Sequence, residues 1–251
     1  MVVLVATLGA LANCGRDPGG NARAARVDPA APLADECPDA PIPAGMTRLS
    51  VTAVDDTRIG AAVAGEDETT VVLVHGAGQD LCDWMDVVPA LTDLGVTVAA
   101  YNLRGRGSSG GSRNDVALLP DDLDAVVTAV RERGAKRIVL VGSSLGAAAS
   151  LIGAGSIDPP VDAVVAVSPP LALGGTDVIS AARRYEGPVV LVAAEGDGPY
   201  ARYIAELASV LPDVRATTIL DGSDHGMRLI KSRLEDVAEA VDQAVGAVAD
   251  Q

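Results

Sequence analysis

The segment Gly142-Ser143-Ser144-Leu145-Gly146 sets a serine between two glycines at the spacing of a nucleophile elbow. It follows the apolar run Arg137-Ile138-Val139-Leu140-Val141 and precedes Ala147-Ala148-Ala149-Ser150-Leu151-Ile152, so it reads as strand, tight turn and helix. The turn is strained and takes only small residues on its flanks, which Gly142 and Gly146 supply. The spacing selects Ser144 rather than Ser143 as the hydroxyl pushed out at the end of a sheet. Such a hydroxyl attacks a carbonyl carbon and carries an acyl group, provided a base takes its proton. A Gly-x-Ser-x-Gly is short enough to arise as a plain turn; the strand before it and the helix after it argue for the elbow.

The base is a choice between two, because the chain has only two histidines. His225 lies in Gly222-Ser223-Asp224-His225-Gly226, after the last apolar strand and before the final helix. It follows Ser144 in the chain, as the order serine, acid, histidine requires. The acid should end the strand between them. That strand is Val189 to Ala194, followed by Glu195-Gly196-Asp197-Gly198. Asp197 is the first choice and Glu195 the reserve; Asp224 adjoins His225 and is badly placed to align its ring. His75 heads His75-Gly76-Ala77-Gly78 directly after an apolar strand and reads as a residue that shapes this loop. Small residues there can offer a backbone N–H to a developing oxyanion, and a second N–H belongs to the residue after the nucleophile. The candidate donors are Ala77 and Leu145.

These residues need a scaffold, and the chain alternates strand and helix patterns. Arg48 to Ala64 reads as a hairpin turning at Asp55-Asp56. Strands follow at Thr70–Val74, Val96–Tyr101, Ile138–Val141, Val161–Val167, Val189–Ala194 and Arg215–Leu220. Helical patterns cover Asp83–Leu94, Asp115–Arg133, Pro199–Leu211 and one long stretch from about Met227 to Ala249, with apolar residues near a period of 3.6. Continuous apolar strands alternating with helices predict a parallel sheet covered on both faces. Ligands bind such sheets beyond the carboxyl ends of the strands, where every motif above sits.

With 251 residues, 49% of them hydrophobic, the chain is long enough for one sizeable core. Phenylalanine is absent and Trp84 is the sole tryptophan, so that core must be aliphatic. The formal charge of −15 argues against nucleic acid or anionic lipid as a charge-recruited partner. Residues 1–14 combine an apolar run with Leu11-Ala12-Asn13-Cys14-Gly15, similar to a bacterial lipoprotein signal in which the cysteine is lipidated. Asn13 stands where such signals usually carry Gly, Ala or Ser. Cys14 is therefore a candidate lipidation site, and the expected location is extracytoplasmic and membrane-anchored, with a cytoplasmic protein as the alternative. Residues 15–44 carry Pro, Gly, Ala, Asp and Arg without periodicity and read as a flexible linker. The catalytic domain is then residues 45–251. In an exported protein Cys37 and Cys82 are a candidate disulfide from the end of the linker to the loop after the first core strand.

Taken in order, His75-Gly76-Ala77-Gly78, Trp84, Leu103-Arg104-Gly105-Arg106-Gly107-Ser108, the elbow, Asp197 and His225 resemble the α/β-hydrolase family from about Met46 to Gln251. One departure is Asn102, where many relatives have an acidic, usually structural, residue before the Arg-Gly turn. The resemblance implies a mostly parallel central sheet of about eight strands with helices on both faces. It also implies acyl-enzyme chemistry with Ser144, Asp197 and His225 as the triad. The segment between Val167 and Pro188 is short for a lid domain, which predicts an open pocket for small or soluble substrates. The expected activity is cleavage of small-molecule carboxylic esters, with thioesters or amides and peptides as alternatives on the same triad. A tethered binding protein that keeps the fold without turnover is the alternative from outside enzymology. The chemistry calls for no metal or organic cofactor.

Overall fold

The computed structural model describes residues 27–249. Cys14 and the signal-like segment lie outside the described residues. A short helix α1 (Leu33–Glu36) leads into the hairpin β1 (Thr47–Thr52) and β2 (Arg58–Ala64). Then come β3 (Thr69–Val74), a 3-10 turn at Leu81–Trp84, α2 (Val88–Thr92) and β4 (Thr97–Tyr101). Helix α3 (Leu119–Glu132), β5 (Arg137–Ser143) and α4 (Leu145–Ala154) follow. After β6 (Ala163–Val167), a two-residue-strand hairpin, β7 (Ala172–Leu173) and β8 (Thr176–Asp177), precedes α5 (Val178–Ala182). The chain closes with β9 (Val189–Ala194), α6 (Tyr200–Ala208), β10 (Val214–Leu220), α7 (Met227–Ser232) and α8 (Leu234–Ala249).

The main sheet has eight strands in the order β1-β2-β4-β3-β5-β6-β9-β10. Strand β2 pairs antiparallel with both β1 and β4, and the remaining pairs are parallel. Every residue of β3, β4, β6 and β9 is buried, which is why these strands read as unbroken apolar runs. Side chains alternate between two cores: Val72, Leu140, Val164 and Leu191 face α3 to α6, whereas Val71, Val139, Val165 and Val190 face Trp84, α2, α7 and α8. Strand β10 forms one edge and alternates half-buried with exposed residues.

Register decides where the chemistry sits. Val74 pairs with Gly142, Ser143 with Val167, Val167 with Val192 and Ala194 with Leu220. The carboxyl ends of β3, β5, β6, β9 and β10 therefore finish side by side, and the loops beginning at His75, Ser144, Ser168, Glu195 and Asp221 share one rim.

Three expected features need correction. The described part of the expected linker, residues 27–44, is anchored to the domain at a few points. Leu33 and Cys37 are buried in the core beneath α8, Cys37 is disulfide-bonded to Cys82, and Arg48 pairs with Glu36. These anchors lie on and beside a single helical turn, too short for a periodicity to announce them. The pattern at 83–94 divides into the 3-10 turn and α2, which restarts with Pro89 in its first turn. The long pattern from Met227 divides at Arg233, whose backbone (φ −131°, ψ 44°) is not helical. Leu229, Ile230 and Val237 pack into the same core on either side of the break, so the apolar spacing runs through it.

Candidate active site

Small residues make the elbow. A Cβ on Gly146 would stand 2.2 Å from the Val74 carbonyl oxygen, and one on Gly142 would stand 2.5 Å from Ala147 Cα. Any larger residue would drive α4 off the sheet. Ser144 takes the strained conformation of such turns, with φ 52° and ψ −115°, and its N–H donates to the Val167 carbonyl at 2.8 Å. Residues 146–154 of α4 are all buried, so this helix and its first turn are fixed from every side.

Ser144 Oγ lies 2.8 Å from His225 Nε2, and His225 Nδ1 lies 2.9 and 3.0 Å from the two oxygens of Asp197. A carboxylate only accepts, so the imidazole proton belongs on Nδ1 and Nε2 is left to accept from the serine hydroxyl. The Asp197 side chain is 6% exposed and that of His225 29%, so the acid is enclosed while the base faces the rim. Two backbone bonds tie their loops together. Gly196 N–H donates to the Gly222 carbonyl at 2.8 Å, and Glu195 N–H donates to the Leu220 carbonyl at 2.9 Å. The Glu195 side chain is exposed, and Asp197 is the carboxylate that reaches the ring. Tyr200, on the first turn of α6, lies against His225 with ring centroids 4.3 Å apart. Burial first, and then the charge of Asp197, raise the Tyr200 phenol above its ordinary value, so it stays neutral here.

The loop after β3 passes over the elbow: a Cβ on Gly76 would stand 3.3 Å from that of Ser144. Ala77 follows on the exposed side. Gln79 Oε1 accepts the Gly76 N–H at 2.8 Å and so shapes the turn beside it. Leu145 opens α4, where an N–H has no intrahelical acceptor. His75 is fully buried. Its Nδ1 donates to the Gly76 carbonyl at 2.8 Å and its Nε2 accepts from Leu103 N–H at 3.0 Å. Burial pushes this imidazole down to about 4, so it stays neutral and braces the loop after β3 against the loop after β4.

The loop after β4 is itself fixed by polar contacts. Arg104 forks onto Asp122 at 2.6 and 2.7 Å, both side chains being buried. Asn102 Oδ1 accepts from Leu81 N–H at 2.8 Å. The Glu36 carboxylate, from α1, accepts from Asn102 Nδ2, Ser108 N–H and Ser108 Oγ. Sequence reasoning missed Glu36, Ser168 and Tyr200. Only Tyr200 offered a signal, as one of five aromatic residues in the chain and three positions after the chosen acid.

The connection from β6 to β9 holds only the β7–β8 hairpin and α5, so no lid domain covers this rim. The rim is open to solvent at part-exposed His225 and exposed Ala77.

The architecture matches solved α/β-hydrolases. An esterase of Pyrococcus furiosus superposes with a TM-score of 0.71 at 19% identity, over 83% of this chain and 97% of its own. A lidless α/β serine hydrolase of Xanthomonas campestris gives 0.64 at 24% identity, over 82% and 96%. The proline iminopeptidase of Mycobacterium smegmatis gives 0.69 at 15% identity, over 81% and 99%. At these identities the likeness shows the fold. The family described as serine aminopeptidase, S33, matches residues 65–197, more than half of the sequence. The chain is a hydrolase with the α/β-hydrolase fold, and it belongs to that family.

Proposed function

We propose that the protein cleaves carboxylic esters of small or soluble substrates through an acyl-enzyme, with Ser144, His225 and Asp197 as its triad. The observation that carries the reading is the unbroken hydrogen-bond path from Asp197 through His225 to Ser144 Oγ. Ser144 Oγ attacks the carbonyl carbon as its proton passes to His225 Nε2. Asp197 holds the ring in the Nδ1–H tautomer and stabilises the imidazolium. The Ala77 and Leu145 N–H groups receive the charge on the carbonyl oxygen. His225 returns the proton to the leaving alkoxide. Water then attacks the acyl carbon with the same base, releasing the acid and restoring Ser144.

The uncovered rim supports esters of small or soluble acids and alcohols over long-chain lipids. Amide cleavage on the same triad is the second reading, favoured by the description of the family as aminopeptidases. A panel of aryl esters of increasing acyl length, run beside aminoacyl arylamides and thioesters, separates them. Ester turnover well above amide turnover supports the first reading; the reverse order replaces it with the second. A folded protein that turns over nothing and resists a fluorophosphonate would be the tethered binding protein instead.

We further propose that the protein works outside the cytoplasm, anchored through a lipid on Cys14. The Cys37–Cys82 disulfide supports an oxidising compartment. Mass spectrometry of the native N-terminus tests the anchor: a diacylated Cys14 is expected, and an unmodified Met1 would refute it.

A further inference from the structure

Ser168 follows the carboxyl end of β6 and belongs to no motif, yet the loops carrying Asp197 and His225 both bond to it. Its hydroxyl lies 2.7 Å from Asp197 Oδ2 and 3.3 Å from the backbone nitrogen of Gly226. The directions of these bonds are fixed by chemistry. The carboxylate only accepts, so Ser168 donates to it; the Gly226 N–H only donates, so Ser168 accepts from it. One buried oxygen thus joins the acid on the loop after β9 to the residue that follows the base. The neighbouring Val167 carbonyl accepts the Ser144 N–H at 2.8 Å, and the Ser168 N–H donates to Val192 at 2.8 Å. The nucleophile, the acid and the base are therefore referred to one dipeptide, Val167-Ser168.

The backbone marks the same spot. Ser168 has φ 51°, one of three non-glycine residues with positive φ in the described chain, and Ser144 is another. A residue with a Cβ is strained there and glycine is not. Glycine would satisfy the backbone but could join neither Asp197 nor Gly226. Gly226 has φ 55° and lies against the elbow, where a Cβ would stand 2.9 Å from Ser143 Oγ. The loop carrying His225 is thus pressed onto the nucleophile on one side and hydrogen-bonded to Ser168 on the other.

We propose that Ser168 is a positioning residue of the triad, holding the Asp197 carboxylate and the His225 loop in one register through its hydroxyl. The proposal rests on the triad reading above. Ser168 never touches substrate. It shares the charge of Asp197 and keeps that carboxylate in the plane where both oxygens meet His225 Nδ1. The groups facing His225 and Asp197 are each other, Ser144, Ser168 and the neutral Tyr200 on α6; Glu195 and Asp224 are chain neighbours. The acid limb of a rate profile therefore reports the His225–Asp197 pair.

Two variants test this against a purely structural role. Ser168→Ala removes the hydroxyl and keeps the strain, whereas Ser168→Gly removes the hydroxyl and relieves it. Both should lower kcat roughly 10-fold or more on an aryl ester, the effect of losing a charge-assisted hydrogen bond, with KM within about 2-fold of wild type. Both should also move the acid limb of kcat/KM to higher pH. With one donor fewer, the Asp197 carboxylate holds the His225 proton more firmly. Wild-type kcat in Ser168→Gly would overturn the proposal, since only strain would then separate the variants. So would a loss of rate in both with an unmoved acid limb. Ser144→Ala in the same assay keeps the two claims apart. If it is dead while Ser168→Gly is fully active, the triad stands and only the role of Ser168 fails. If Ser144→Ala is active, the triad reading itself fails.

Discussion

Glu36 Oε1 accepts a hydrogen bond from Asn102 Nδ2 at 2.8 Å, across 66 residues of chain. Many α/β-hydrolases carry an acidic residue at the position of Asn102. Here the amide occupies it and the carboxylate arrives from α1. Its oxygens also take the Ser108 N–H at 2.7 Å, the Ser108 hydroxyl at 2.9 Å and the Arg48 guanidinium. The negative charge under the Arg-Gly turn is thus supplied from outside the turn. The amide Oδ1 is freed to hold Leu81 N–H, where the 3-10 turn begins.

Glu36→Ala should therefore destabilise the whole domain, because it strands Arg48, Asn102 and Ser108 N–H together. The Glu36 side chain is 3% exposed. A loss of about 3 kcal/mol is expected for breaking a buried charged cluster from one side. Urea denaturation measures it; a change under about 0.5 kcal/mol would show that the cluster contributes little.

The Cys37–Cys82 bridge closes a loop of 45 residues and fastens the same segment next to Glu36. Reducing it, or replacing both cysteines with serine, should cost on the order of 3–4 kcal/mol through the freed unfolded chain. Denaturation with and without a thiol reductant checks this. Thiol counting under denaturing, non-reducing conditions should find neither residue reactive.

Substitution should separate Asp197 from Glu195. Asp197→Asn should cut kcat by orders of magnitude, on the order of 10⁴ as in the serine protease template. Glu195→Gln, at an exposed side chain, should stay within about 3-fold of wild type. The reverse pattern would move the acid to Glu195.

His75 makes stability depend on pH. Burial lowers its folded pKa from 6.5 to about 4. Below 6.5 the unfolded chain takes up a proton that the folded protein refuses, so stability falls with falling pH. The loss grows by up to about 1.4 kcal/mol per pH unit and levels off near pH 4, on the order of 3 kcal/mol in all. Replacing His75 with Gln should remove this slope between pH 6.5 and 4, whatever it does to stability at pH 7. An unchanged slope would assign the dependence to other groups.

The sheet was legible because buried parallel strands are continuous apolar runs, and β3, β4, β6 and β9 are buried throughout. The elbow was legible because Gly142 and Gly146 meet backbone at distances no side chain permits. Choosing His225 over His75 followed from chain order, and the two rings occupy different surroundings, one at the rim and one buried. The contacts of Glu36 and Ser168 were not legible. Their partners lie 12 to 72 residues away, and only the folded chain brings them together. The break at Arg233 was hidden because both helices present apolar residues to one core, and spacing alone cannot see a change of axis.

Ser144 Oγ, 2.8 Å from His225 Nε2, is the proposed nucleophile. Labelling purified protein with a fluorophosphonate, followed by peptide mapping, tests it most directly. One adduct is expected, on Ser144, lost in Ser144→Ala and strongly slowed in His225→Ala, with both variants folded. Labelling at another residue, or labelling of folded protein that survives Ser144→Ala, would contradict it.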